Sequence, residues 1–189
     1  VTGLVGSEMC IRDRSSSRIG LEIENSIKLS ELFSVQTNIT LSSNKNKNIF
    51  SMVDGALYNY GKTNISFSPS FIGSNSINYK YSENLNFTFL SKYVGKQYMS
   101  NTDQPNSILD SYFVNDLSIS YLLQPNKIFE SISINLLINN LPNKEYISNG
   151  YYYTYDDTWS IPGQITTLDG AGYYPQATRN FLAGFIFKF

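Results

Sequence analysis

The sequence contains no histidine and a single cysteine, Cys10. The first absence removes the commonest general base and the commonest metal ligand in one step. The second leaves Cys10 without an internal disulfide partner or a companion for a metal site. Charge is scarce as well: Asp, Glu, Lys and Arg make up 15% of 189 residues, against about a quarter in a soluble domain. A formal net charge of -1 argues against a nucleic-acid surface. No run of about 18 apolar residues occurs, so no transmembrane helix is expected, and helix start and stop signals are absent throughout. Nothing in the chain assembles a nucleophile, a base and an orienting group, so no enzymatic activity, no cofactor and no metal are expected.

What fills the space is Asn, Ser and aromatic residues, with 15 Tyr and 12 Phe. Abundant aromatics argue against disorder. The apolar residues alternate. Leu21, Ile23, Ile27 and Leu29 share one face, with Glu22, Glu24, Ser26 and Lys28 on the other. A polar turn at Ser30-Glu31 leads into a partner strand with Phe33, Val35, Ile39 and Leu41 opposite Ser34, Gln36, Asn38 and Thr40, which makes a hairpin. Further strands are expected at 70–81, 85–98, 111–123 and 131–140, the last resuming through 146–155. The final strand, 180–189, carries Phe181, Ala183, Phe185, Phe187 and Phe189 on one face and Leu182, Gly184, Ile186 and Lys188 on the other.

That makes about seven strands, and their connections alternate between short turns and long polar loops at 42–64, 99–110 and 141–178. A membrane barrel sorts its loops this way: short turns face the periplasm and long loops the exterior. The strands also approach the length of about 9–11 residues that a tilted membrane-spanning strand needs. A polar average combined with apolar alternate positions fits a barrel whose interior is wet. The fold expected is therefore all-β, an antiparallel up-and-down transmembrane barrel. Its last strand turns an aromatic face to the acyl chains and pairs with the first strand of the barrel.

The segment Tyr151-Tyr152-Tyr153-Thr154-Tyr155 followed by Trp159 is the densest aromatic group. It reads either as an interfacial aromatic girdle with a hairpin stem or as an extracellular stacking surface for a sugar, haem or an iron chelate. Because consecutive strand residues point to opposite faces, at most half of it can meet one ligand. Tyr151, Tyr153, Tyr155 and Trp159 are the candidate ligand-binding residues. Asp103, Asp110, Asp116, Asp156, Asp157 and Asp169 fall in or near the long loops without the regular spacing of a calcium loop, so they read as solvated charge.

Residues 1–14 share neither the alternation nor the Asn/Ser/Tyr bias of the rest. They lack the basic and apolar regions of a signal peptide, and residues 4–14 resemble a translated sequencing adapter. They are expected to be non-native, with the native chain occupying residues 15–189.

Four blocks carry a resemblance to a family. Ser91-Lys-Tyr-Val-Gly-Lys-Gln-Tyr-Met-Ser-Asn-Thr102 is similar to a strand and Asn-Thr loop near the end of TonB-dependent receptors. Residues 109–121, then Leu137-Ile-Asn-Asn-Leu-Pro-Asn-Lys-Glu-Tyr146, then Tyr173-Tyr-Pro-Gln-Ala-Thr-Arg-Asn-Phe181 with the terminal strand, resemble the same family in the same order. Pro142 stands where the family more often has Phe. The resemblance implies a C-terminal portion of a barrel of about 22 strands whose lumen is plugged. It implies residence in the outer membrane of a Gram-negative bacterium and uptake of an iron–siderophore, haem, cobalamin or oligosaccharide. It further implies a plug domain of the same full-length chain, whose contacts could include Glu22, Glu24 and Lys28, and a TonB energy-coupling complex reached through an upstream segment. Finally it implies recognition of Phe185, Phe187 and Phe189 by the barrel-assembly machinery. Barrel-built proteases and phospholipases generally use a histidine, which this chain lacks. Two other readings fit the pattern: a small stand-alone outer-membrane barrel with a structural or adhesive role, and a soluble β-sandwich that binds carbohydrate.

Overall fold

The computed structural model describes residues 15–125 and 128–189. The expectation for residues 1–14, and for Asn126 and Lys127 in the third short turn, lies outside them.

The chain opens with β1 (Ser15–Lys28) and β2 (Phe33–Val53), paired antiparallel from Lys28↔Ser34 to Ser15↔Lys47. The turn between them is held by the Ser30 hydroxyl, which accepts from the amides of Leu32 (3.2 Å) and Phe33 (3.1 Å). The same device recurs at Ser82, whose hydroxyl accepts from the amides of Asn84 (3.3 Å) and Leu85 (3.1 Å) between β4 (Phe71–Lys80) and β5 (Leu85–Val94). In each case a short hydroxyl side chain takes the place of a backbone acceptor and tightens a Ser-Glu turn. Two later strands, β8 (Tyr112–Leu123) and β9 (Ser131–Asn139), and the last, β12 (Asn180–Lys188), complete one sheet in the order β1-β2-β4-β5-β8-β9-β12. Every neighbouring pair is antiparallel, which is the up-and-down topology expected.

The period-2 alternation sets the two faces. Val35, Ile77, Phe89, Leu117, Ile138 and Phe181 follow one another across six strands by direct register partners. Aromatic side chains gather at both ends of this apolar face: Tyr79 stacks with Phe33 at 4.4 Å and with Phe87 at 6.3 Å near the short turns, and Phe71 meets Tyr93 at 5.6 Å near the long loops. One row interrupts the apolar face. Asn25, Thr37, Asn75, Ser91 and Asn115 are successive register partners, and they bond to one another, Thr37 to Asn75 at 3.5 Å and Asn115 to Ser91 at 2.8 Å. In a lipid environment such cross-strand bonds offset the loss of water around polar groups.

The opposite face is hollow and lined by Glu24, Gln36, Asn38, Ser74, Ser76, Lys92 and Asp116. It is polar over most of its width. On β12, however, Leu182 and Ile186 lie on this side and are exposed, with Leu182 beside Leu137 of β9. Both faces of the last strand are thus apolar. Among the described residues, only six apolar side chains are buried: Ile49, Ile65, Val94, Met99, Leu109 and Val114. A β-sandwich buries one face of each sheet against the other. Here no second sheet covers the apolar face, and the sandwich reading falls.

Two of the three long connections differ from the open loops expected. Beyond Leu41, β2 runs on to Val53 and pairs with β3 (Ala56–Asn64) on the side that β4 occupies lower down. The hinge is Asp54-Gly55, with φ of 52° and 75°. Two successive residues at positive φ make the tight hairpin turn for which Asp-Gly is a strong signal. The third connection is also a hairpin, β10 (Ile147–Asp157) with β11 (Thr166–Pro175), forming a separate two-stranded sheet. The expected resumption of strand near Tyr146 is real, but β10 pairs with β11 and not with the main sheet. The middle connection holds the short pair β6 (Gln97–Tyr98) and β7 (Ile108–Leu109) with one 3-10 turn at Pro105–Ser107. The fourth strand accordingly stops at Val94 and not at Tyr98: Gly95 donates to the Phe71 carbonyl at 2.9 Å, and a Cβ there would lie 3.0 Å from that oxygen.

Candidate functional site: an aromatic platform on a packed loop cap

The three long connections pack into one cap at the end of the sheet away from the short turns. The Asn101 side chain accepts from Asn46 Nδ2 (3.2 Å) and from the Ser66 amide (2.9 Å). The Asp103 carboxylate takes the Asn64 amide (3.0 Å) and the Asn64 side-chain amide (2.8 Å). These bonds fasten the middle loop to the β2–β3 hairpin. Asp169 accepts from Asn106 Nδ2 at 3.0 Å, and the Tyr173 hydroxyl donates to the Asn106 carbonyl at 3.1 Å, which fastens the same loop to β10–β11. The hairpin tips meet directly, with Asp54 bonded to Thr167 and a Cβ at Gly55 only 3.1 Å from Ile165 Cδ1. Asp116 in β8 accepts from the Asn140 amide at 2.7 Å and holds the base of the third connection. The aspartates read from sequence as solvated charge are thus largely fasteners: Asp103, Asp116, Asp156 and Asp169 all accept hydrogen bonds from other segments or strands.

The hairpin β10–β11 has two different sides. Gly150, Tyr152 and Thr154 face the rest of the cap: a Cβ at Gly150 would meet the Gly172 carbonyl oxygen at 2.5 Å and the Met99 sulfur at 2.6 Å. Burial, reinforced by the Asp169 carboxylate beside it, holds the Tyr152 phenol well above the usual tyrosine range.

The other side carries the residues singled out from the sequence. Tyr151, Tyr153, Tyr155 and Trp159 are 51%, 48%, 43% and 70% exposed, so their rings are open to solvent. Successive ring centroids are 6.2, 6.3 and 6.4 Å apart with interplanar angles of 23°, 24° and 10°. Tyr174 adds a fifth ring 6.0 Å from Tyr151. The spacing is that of alternate residues on a strand. The near-parallel setting has a local cause. Tyr151 is the register partner of Gly172 and Tyr153 that of Gly170. A Cβ at Gly170 would lie 2.7 Å from Tyr153 Cζ, and one at Gly172 would run into the Tyr151 ring. The Tyr151 and Tyr153 rings therefore lie across bare backbone. Trp159 is set by Asp157, whose carboxylate accepts from the amides of Trp159 (3.1 Å) and Ser160 (3.0 Å). Bonds from the Ser160 hydroxyl and amide hold that carboxyl below its ordinary range.

All four sequence candidates therefore stand on one surface. Glycines 170 and 172 and Tyr174 were missed, and the alternation Gly-Ala-Gly opposite alternate tyrosines is the signal that could have found them. The aromatic clusters of the main sheet are formed by other residues, Phe33, Tyr79 and Phe87 at one end and Phe71 and Tyr93 at the other. Between residues 147 and 178 the hairpin carries Asp156, Asp157 and Asp169 and no Lys or Arg.

At the opposite end, Phe185 and Phe187 of β12 pair with Ile134 and Ile132, and Phe129 sits 5.3 Å from Phe187 and 5.0 Å from Phe189. Among the described residues β12 has β9 as its one partner strand, and β1 has β2.

No protein-family model matches the sequence, and no curated protein does. Solved structures match the fold. The siderophore receptor PiuA of Acinetobacter baumannii aligns with a TM-score of 0.62 at 18% identity, over 90% of this chain and 22% of its own. The ferric yersiniabactin uptake receptor FyuA of Yersinia pestis gives 0.59 at 17% identity, over 92% of this chain and 24% of its own. The ferric-catecholate import receptor Fiu of E. coli gives 0.62 at 15% identity, over 91% and 21%. The chain has the fold of a sector of such a barrel and spans about a fifth of the length of the receptors it matches, as its sequence resemblance to TonB-dependent receptors implied.

Proposed function

We propose that a chain folded as a sector of a TonB-dependent receptor barrel serves in an outer-membrane receptor for active uptake of a bulky nutrient. The candidate ligands are an iron–siderophore, haem, cobalamin or an oligosaccharide. The observation that carries this reading is the sheet itself: an apolar face with aromatic ends, a polar hollow, and two long strands each paired on one side only among the described residues. Unpaired strand edges are not stable in hydrocarbon, so β1 and β12 call for further strands, as in the larger barrels that this chain matches over about nine-tenths of its length.

The exposed Leu182 and Ile186 on the hollow side give a plug domain an apolar surface to cover. Energy would come from an inner-membrane TonB complex acting on that plug. The aromatic end of β12, with Phe185, Phe187 and Phe189, would be read by the barrel-assembly machinery, and the receptor itself would carry out no chemical reaction.

Fractionation and uptake test the proposal together. The protein expressed from its complete reading frame should reach the outer membrane and migrate there as a heat-modifiable barrel. Uptake of one of the four ligand classes should be lost both when the gene is deleted and when TonB is removed. Removing residues 181–189 should abolish insertion. A soluble product, normal display of the truncated protein, or uptake independent of both gene and TonB would refute it.

A further inference from the structure

The four ligand classes differ in charge and shape, and the platform on β10–β11 distinguishes among them. Its rings follow one another along a strand, with neighbouring planes 10–24° apart from Tyr151 to Trp159 and Tyr174 tilted by 49° against Tyr151, so they offer one aromatic row. Among the described residues, the cap loops contact the hairpin from the opposite side, through Gly150, Asp169 and Tyr173. Three carboxylates belong to this hairpin and no cation does between residues 147 and 178. Asp157 lies at the end of the strip, bonded to the turn that carries Trp159. Asp169 faces the cap and Asp156 is bonded to Thr167, so the carboxylate at the strip is Asp157, and with no cation on the hairpin it disfavours anionic chelates and haem propionates.

From this geometry we infer that the strip formed by Tyr174, Tyr151, Tyr153, Tyr155 and Trp159 binds an uncharged, extended glycan. This rests on the proposal that the hairpin is an extracellular ligand contact, and it names the ligand. A pyranose ring has a face of C–H groups that packs against an aromatic ring, while its hydroxyls point sideways to water and to polar neighbours. A row of rings spaced at 6.2–6.4 Å takes successive sugars of a linear chain along the strand. Rings already held flat by Gly170 and Gly172 need little ordering when the ligand arrives, which lowers the cost of binding. Asp157, at the end of the row, can accept from sugar hydroxyls.

The test uses protein from the complete reading frame, folded in detergent and checked for heat-modifiable migration. It is applied to an array of neutral linear glycans, and the best binder is carried into calorimetry beside a ferric catecholate. Tyr153→Ala and Tyr155→Ala should each weaken glycan binding about tenfold, the scale of one lost aromatic contact. Tyr153→Phe, which keeps the ring, should bind as the parent does, and the ferric catecholate should be indifferent to all three. If no neutral glycan binds, or if the alanine variants bind it unchanged, the inference is overturned. If the alanine variants lose the ferric catecholate instead, the glycan assignment falls while the ligand-contact reading survives. If they lose neither ligand, both fall. Glycan binding that depends on the strip, in a protein whose deletion leaves uptake intact, would uphold the inference and remove the transport proposal.

Discussion

Asp54 and Thr167 hold each other by two hydrogen bonds of 2.7 Å: the Asp54 amide donates to Thr167 Oγ1, and the Thr167 amide donates to Asp54 Oδ1. The Thr167 hydroxyl in turn donates a hydrogen bond to Asp156 Oδ1, also at 2.7 Å. One threonine thereby joins the tips of two hairpins that are 113 positions apart in the chain.

Breaking this latch should loosen both tips without unfolding the sheet. In Thr167→Val the hydroxyl is lost at nearly constant volume, leaving the Asp54 amide unpaired. Hydrogen exchange at the amides of residues 54 and 167 should quicken about tenfold, the effect of losing roughly one hydrogen bond. Amides in the middle of β5 and β8 should be unchanged. Uniform exchange across the variant and the parent would show that the tips are not held by this contact.

Glycine sets the flatness of the platform. Gly172→Ala should displace the Tyr151 ring and cost about 1–3 kcal/mol, the usual range for overpacking, at its lower end because an exposed ring can swing aside. The tyrosine signal in near-ultraviolet circular dichroism should change. Gly184→Ala on β12 is the control, since a Cβ there has nothing within 4 Å; it should leave both stability and spectrum alone.

The Trp159 turn should respond to acid. The Asp157 carboxyl is held below its ordinary range by the Ser160 hydroxyl and amide, with the Trp159 amide adding to the effect. A depressed carboxyl contributes stability that is present above its unfolded pKa and is lost as pH falls through the folded value. Trp159 fluorescence should therefore be flat from neutral pH down to the ordinary carboxyl value of about 3.8 and change only below it. Asp157→Asn should flatten that acid transition. A transition centred near neutrality would rule out Asp157 as its source.

The barrel strands were legible because one face of each is apolar and the other polar, so strands such as β8 and β9 could be placed to within a residue or so. The two hairpins of the cap were not. Asn44-Lys45-Asn46-Lys47-Asn48 hides the continuation of β2, because its side chains are polar on both faces, Asn46 being buried by its bonds to Asn64 and Asn101, and such a strand shows no alternation in hydrophobicity; only Asp54-Gly55 marked the turn. β11 was lost for a similar reason, its small residues Gly170, Ala171 and Gly172 being chosen to lie beneath rings and not to fill a core. The four aromatic candidates could be named from one stretch of sequence, but the setting of the Tyr151 and Tyr153 rings depends on a strand more than a dozen residues further on. The aspartates misled because a carboxylate that fastens a loop looks, in sequence, the same as one that merely faces water.

Two rings of the platform rest on glycines, and on the proposed reading this separates the residues that would touch a ligand from those that would decide which ligand fits. Tyr151 can tilt only as far as position 172 allows, and Tyr153 only as far as position 170 allows. A single methyl group on the far strand would reshape the strip while every contacting side chain stayed as it is. On the proposed reading, preference for one cargo over another could thus drift through positions that the cargo never meets.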